Sequence, residues 1–130
     1  MGPVVDTSVL FDYFAGVKNR ETNLLDGLLE EGVASAMVPV IVQEFLQGFA
    51  SASDQAKARR YLTPFERLDA PTYETHELAA ELHVDARRSG DTIPTIDTLI
   101  VTMAREANRA LLTRDRHQKV LAKIAGVHLV

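Results

Sequence analysis

Short apolar runs alternate with segments of helical period along this chain, and that alternation limits the fold more than any other feature. Val4-Val5, "VASAM" at 33–37, "ERLDAP" at 66–71, "ALLT" at 110–113 and "VHLV" at 127–130 are the strand candidates. The segments between them carry apolar residues at helical spacing. "SVLFDYFAG" is a helix stopped by Gly16, and "ETNLLDGLLEEG" is a helix stopped by Gly32, with Leu24, Leu25, Leu28 and Leu29 on one face. Pro39 suits the first turn of a third helix whose stripe is Ile41, Phe45 and Phe49. "TYETHELAAELHVDARRSG" turns Leu78, Leu82 and Ala86 inward, and Thr95 is placed to cap a helix bearing Ile96, Leu99, Ile100 and Met103. Strands separated by helices pair in parallel through right-handed crossovers. The predicted architecture is therefore a three-layer α/β/α sandwich around a central parallel sheet of about five short strands. A chain of 130 residues is enough for one such core, so residues 1–130 are read as one domain.

Composition removes several classes of function. Apolar residues at 46% and charged residues at 25% are those of a soluble globular protein, and no uncharged run approaches a membrane span. The first residues, "MGPVVD", show neither a secretory pattern nor a myristoylation signal. The absence of cysteine excludes disulfides, thiolate zinc sites and cysteine nucleophiles, and it suits a reducing cytoplasm. Any metal must be held by oxygen or imidazole. The net charge of −4 conceals a gradient: residues 1–56 hold two basic and eight acidic side chains, whereas residues 105–123 hold six basic and two acidic ones. A local basic stripe attracts phosphates whatever the total charge.

In a parallel α/β sheet the ligand crevice lies beyond the carboxyl ends of the strands. Asp6 ends the first strand, Glu44 lies in the helix after the second, Asp97 opens the helix before "ALLT", and Asp115 follows "ALLT" by two residues. Each has a plain structural explanation: a cap for Asp6, a dipole partner for Asp97, a solvated position for Glu44, a loop for Asp115. Their convergence on one edge is the stronger sign, because crowded carboxylates repel and raise one another's pKa, a penalty a cation removes. Carboxylates without a His or Cys cluster suit Mg²⁺ or Mn²⁺, such as serve phosphodiester cleavage. Ser8 and Thr113 are close enough in sequence to orient the acids, or else form ordinary turn and cap hydrogen bonds. Arg114 and Arg116 flank Asp115 and are the candidates for contact with phosphates.

"VDTSVL", Glu44 in "VPVIVQEFLQG", Asp97 in "IPTIDTLIVTMA" and Asp115 in "ALLTRDRH" resemble the successive acidic motifs of the PIN-domain ribonucleases, most closely the VapC toxins of bacterial toxin–antitoxin pairs. The resemblance spans nearly the whole chain in order. It implies that Asp6, Glu44, Asp97 and Asp115 are the metal-binding acids, with Ser8 and Thr113 in support, and that the first strand lies beside the one before Asp115. It also implies an RNA substrate, a VapB-like antitoxin as partner and a homodimer. One segment departs from the pattern. Many relatives read D-x-D-F at the last motif, and this chain reads Asp115-Arg116-His117-Gln118. His117 stands where the second acid would be, either near the metal or RNA or simply exposed at a helix start.

Other strand-end aspartates fit less well. A phosphoaspartate enzyme of the haloacid-dehalogenase type needs an acid at position 8, where Ser8 stands, and a receiver domain needs a paired acid that "VVDTSV" lacks. A rival from another class is a PIN-like fold kept as a protein-interaction module. Phe11, Phe14, Phe45, Leu46 and Phe49 exceed one helical stripe and belong either to a partner groove or to the core.

Overall fold

A computed structural model describes all 130 residues. The elements run β1 (Val4–Val5), α1 (Thr7–Phe14), α2 (Arg20–Glu30), β2 (Ala36–Met37), α3 (Pro39–Leu46), α4 (Ala52–Tyr61), β3 (Glu66–Arg67), α5 (Tyr73–Arg88), α6 (Thr95–Glu106), β4 (Leu111–Leu112) and α7 (Arg116–Ala125). All strand pairs are parallel, in the order β3-β2-β1-β4, with Val4 opposite both Ala36 and Leu111 and Val5 opposite Leu112. Helices α5, α6 and α7 pack on one another, and α1, α2, α3 and α4 form a second packed group. The result is the predicted α/β sandwich, with a sheet of four strands where about five were expected. The "VHLV" segment supplies only a single parallel bridge, Leu129 to Leu111. His128 and Leu129 face solvent, so little apolar burial holds that segment in a longer ladder.

The inner strands are short because their apolar runs are short, and each of their residues is buried on both faces, as a helix-covered parallel sheet requires. Val4, Val5, Ala36, Met37, Leu111 and Leu112 belong to a core of 27 buried apolar residues. At about 1.5–3 kcal/mol for each large side chain taken fully out of water, this burial is the main force holding the layers together. The outer strand β3 exposes Glu66 and Arg67. Gly16 and Gly32, at φ 77° and 71°, take the left-handed conformation just beyond α1 and α2, so the predicted stops stand. Thr95 is not a cap: Pro94 holds the N-cap position of α6 without a side-chain bond, and Thr95 is the first helical residue. The phenylalanines of α1 and α3 are largely used internally. Phe14 meets Phe45, Phe49 and Tyr61 edge to face at 5.8, 5.1 and 4.9 Å, and Phe45 is fully buried.

From β1 the chain passes outward to β2 and β3 on one side, while β4 lies on the other. The strand order therefore reverses between β1 and β4. Asp6 and Thr113 follow directly at the carboxyl ends of these two strands.

Candidate active site at the carboxyl edge of the sheet

Asp6 is built into the fold three times over. Its backbone N–H still donates to Leu112 across the sheet at 3.0 Å, and its own carbonyl accepts the first bonds of α1. Its carboxylate caps α1 by accepting from the Ser8 N–H at 3.2 Å. The same carboxylate also accepts from the hydroxyls of Ser8 at 2.7 Å and Thr113 at 3.1 Å, and from the Gln118 amide at 2.8 Å. The capping role and the site role are thus two uses of one side chain. These donors answer how a carboxylate only 2% exposed is tolerated at the end of an apolar strand.

The other acids arrive by comparable local logic. Asp115 caps α7, accepting from the Gln118 N–H at 3.0 Å, and its own N–H donates to Thr113 Oγ1 at 2.9 Å. Asp97 lies in the first turn of α6, where the helix dipole favours a negative charge. Glu44 projects from α3. All four line one cleft of roughly 400 Å³, bordered by Phe11 and Ile96. A second cleft of about 390 Å³ is lined from α5 and α6 by residues that include no carboxylate. Similar in size, it has two histidines but no acid to hold a hard cation.

The electrostatics of the acidic cleft are unbalanced. Burial pushes the Glu44 carboxyl above its ordinary range, and the charges of Asp6, Asp97 and Asp115 push it further. Burial also raises Asp97; the Gln118 hydrogen bond opposes that rise, Asp115 and Asp6 add to it, and His117 opposes it. No Lys or Arg forms an ion pair with any of the four acids. Arg114 turns away, bonding Asp12 at 2.5 Å and lying 3.7 Å from Glu21, while its N–H donates to Ser8 Oγ at 3.0 Å. Arg114, a candidate for phosphate contact, is thus paired with carboxylates of the chain itself. Arg116 is exposed and has no carboxylate partner.

Two residues near the acids carry more than the sequence reading gave them. Gln118 is 1% exposed, and its amide nitrogen spans Asp6 Oδ1 at 2.8 Å and Asp97 Oδ1 at 3.1 Å; its Oε1 is buried with no partner. Gln118, Leu121, Ala122 and Ala125 repeat at helical spacing, a signal that Gln118 lies on the inward face of α7. His117 offers a ring nitrogen within 4.8 Å of ligand oxygens from both Asp97 and Asp115. These donors, with an orphaned amide oxygen beside them, fit a small divalent cation: hard oxygens, a net negative charge and no competing ammonium or guanidinium.

A parallel α/β sandwich with an acidic crevice at its topological switch point defines the class, and the comparison with known families gives it a name. The PIN domain family matches residues 4–124, and the chain belongs to that family. It is 27% identical over 126 residues to a VapC ribonuclease of Mycobacterium bovis and equally to ribonuclease VapC11 of Mycobacterium tuberculosis, covering 95% of this chain and 94% of each relative. Among solved structures, VapBC2 from Rickettsia felis, bound to a DNA fragment from their promoter, superposes with a TM-score of 0.78 at 17% identity, covering 100% of this chain and 98% of that one. A toxin–antitoxin complex from Klebsiella pneumoniae gives 0.73 at 22% identity, covering 97% and 95%. At those identities the structures bear on the fold. No helix is long and apolar enough to cross a membrane.

Proposed function

We propose that this chain is an endoribonuclease of the VapC type, the toxin of a toxin–antitoxin pair, and that it hydrolyses RNA phosphodiesters with Mg²⁺ or Mn²⁺. The observation that carries the reading is the cleft itself, where Asp6, Glu44, Asp97 and Asp115 meet without a basic partner. Family membership and the full-length likeness to two VapC ribonucleases support it. Asp6, Asp97, Glu44 and Asp115 would hold the ion. When bound there, a divalent cation supplies Lewis-acid polarisation of the phosphate and neutralises charge developing in the transition state.

The chain's own residues do the rest. Ser8 and Thr113 fix the Asp6 carboxylate, and the Thr113 hydroxyl also receives the Asp115 N–H, so the two acids are oriented through one side chain. Glu44 brings its carboxylate from α3 to the same cleft, where burial and the charges of Asp6, Asp97 and Asp115 raise its proton affinity, so a cation there would favour its charged form. Arg116 is the better placed of the two arginines to meet a phosphate; Arg114 must first leave Asp12 and Glu21. Phe11 and Ile96 give the acidic mouth an apolar rim, 37% and 39% exposed, against which unpaired bases can pack. In this reading residues 1–130 work as one cytoplasmic domain, pair as a homodimer and are restrained by a VapB-like antitoxin.

The test is RNA cleavage by the purified chain. Activity should require Mg²⁺ or Mn²⁺, stop with EDTA and vanish in Asp6→Asn. Expression of the wild type alone should arrest bacterial growth, and the variant at equal level should not. Equal arrest by both would favour the interaction-module reading, because interfaces rest on apolar anchors rather than on one carboxylate.

A further inference from the structure

We propose that His117 is a nitrogen ligand of the metal site and makes it select Mn²⁺ over Mg²⁺. The inference rests on reading the cleft as a divalent-cation site, and goes beyond it by naming a fifth donor and the consequence for ion choice. A ring nitrogen of His117 and one oxygen each from Asp97 and Asp115 lie within 4.8 Å of one another. Two donors facing each other across an ion of this kind stand about 4.2 Å apart, twice the usual bond length of roughly 2.1 Å, so a small rotation of the half-exposed imidazole closes the set. At present Nδ1 is 3.9 Å from Asp115 Oδ1, beyond hydrogen-bond distance, so the ring holds no bond it must surrender.

An independent sign that this corner receives a ligand comes from the next residue. Gln118, buried and bonded through Nε2 to Asp6 and Asp97, lines the cleft and leaves Oε1 without a partner, a cost that a fold does not normally carry unless something else uses the site. The amide stands between the two acids where cationic charge is wanted. It therefore pre-sets their spacing while His117, one residue earlier on α7, supplies the extra donor. Imidazole is a poor match for Mg²⁺, which takes oxygen almost exclusively, and a good one for first-row transition ions. Mn²⁺ accepts both nitrogen and carboxylate. Replacing one oxygen donor by nitrogen therefore moves preference along a predictable axis.

The experiment reads metal binding without RNA, so it stands or falls separately from the nuclease assay. The purified chain is loaded with Mn²⁺ and its pulsed electron paramagnetic resonance spectrum searched for coupling to ¹⁴N; Mg²⁺ is then titrated against the Mn²⁺ signal. Wild type should show nitrogen coupling, and His117→Ala should lose it together with Mn²⁺ affinity, by at least the roughly 10–100-fold that removal of a ligand-supporting group costs. His117→Asp should still bind, without nitrogen coupling and with Mg²⁺ competing more effectively than in wild type. Absence of ¹⁴N coupling in the wild type, its persistence in His117→Ala, or an unchanged Mn²⁺/Mg²⁺ ratio in His117→Asp would each overturn the proposal. Asp97→Asn, which should abolish the bound signal, places the ion in this cleft; retained nitrogen coupling in that variant would locate it elsewhere and also overturn the proposal.

Discussion

The two ends of the sheet both contain buried charge and settle it in opposite ways. At the amino end the Arg109 guanidinium, 4% exposed, is tied to Glu66 at the start of β3 and to the Gly2 carbonyl at 2.8 Å. The protein supplies both signs there and closes the account within its own chain. At the carboxyl end four acids share a cleft with hydroxyls and one neutral amide, and Arg114 is held by other carboxylates. One cluster fastens strands together; the other keeps a charge imbalance that no Lys or Arg of the chain offsets. The contrast separates the two groups more clearly than burial does, since Arg109 and Asp6 are both buried.

The largest effect that would sharpen this contrast is at Asp97. Asp97→Asn should reduce cleavage by roughly 10²–10³-fold or more, as removal of a preorganised charge-stabilising group does. Yet the metal-free variant should melt at the same temperature as wild type or higher, because one repelling charge has gone. A clear fall in melting temperature would mean that the acid is structural after all.

The amino end predicts the reverse pairing of results. Glu66→Ala leaves a buried guanidinium with only the Gly2 carbonyl, and should destabilise the chain by about 3 kcal/mol. Arg109→Met keeps most of the buried stem and leaves a carboxylate that is 43% exposed and reachable by water, so it should cost less. Neither should change cleavage per folded molecule. Denaturant unfolding of both variants decides it: equal costs, or a larger cost for Arg109→Met, would break the account of this pair.

Acid provides a gentler probe. Glu44 and Asp97 have folded-state pKa values above their ordinary 4.5 and 3.8, so the folded chain binds their protons more tightly than the unfolded chain does. Their contribution is most favourable below the ordinary values and is lost as pH rises through the raised ones. In EDTA, stability should therefore increase as pH falls from neutral toward the carboxyl range, and Glu44→Gln should flatten that slope. Saturating divalent metal should flatten or reverse it in the wild type, since protons then compete with the ion. A metal-free chain that loses stability steadily over the same interval would show that other groups outweigh this pair.

How much of this was readable beforehand depended on distance in sequence. The sheet and the four acids were legible because the signals are local: Val4-Val5 then Asp6, "ALLT" then Asp115, Asp97 in the first turn of a strongly periodic helix. Ser8 and Thr113 followed from their spacing to those acids, and both do bond Asp6. Arg109 is one of the six bases of the 105–123 stripe, yet its side chain is buried rather than free to meet a phosphate. It lies beyond α6, and its partner Glu66 is 43 positions away, so nothing nearby announces that the guanidinium is buried. The pairing of Arg114 is hidden for the same reason, since Asp12 and Glu21 belong to α1 and α2. The "VHLV" segment joins the sheet by one bridge rather than a full ladder because, of its residues, only Val127 is buried. Gln118 went unremarked because a lone glutamine has no characteristic spacing, although the helical stripe containing it did point inward.

The smallest predicted effect tests whether that glutamine belongs to the functional side of the comparison. Gln118→Leu removes two hydrogen bonds to carboxylates, at 2.8 and 3.1 Å. Bonds to charged groups contribute about 1.5–3 kcal/mol each. It also removes the unpartnered Oε1, whose burial costs about 1–3 kcal/mol, and places an apolar side chain of similar size beside Leu121 and Ala122. These terms oppose one another, so the metal-free variant should lose only about 1 kcal/mol at neutral pH. The loss should shrink at acid pH, where protonated Asp97 no longer gains from the amide, while the bond to Asp6 stays lost. That pH signature separates a charge-positioning amide from an ordinary core residue, whose replacement would shift the whole stability curve by a constant amount. A parallel shift at every pH, with metal affinity unchanged, would return Gln118 to the core and leave the acids to hold their spacing by backbone geometry alone.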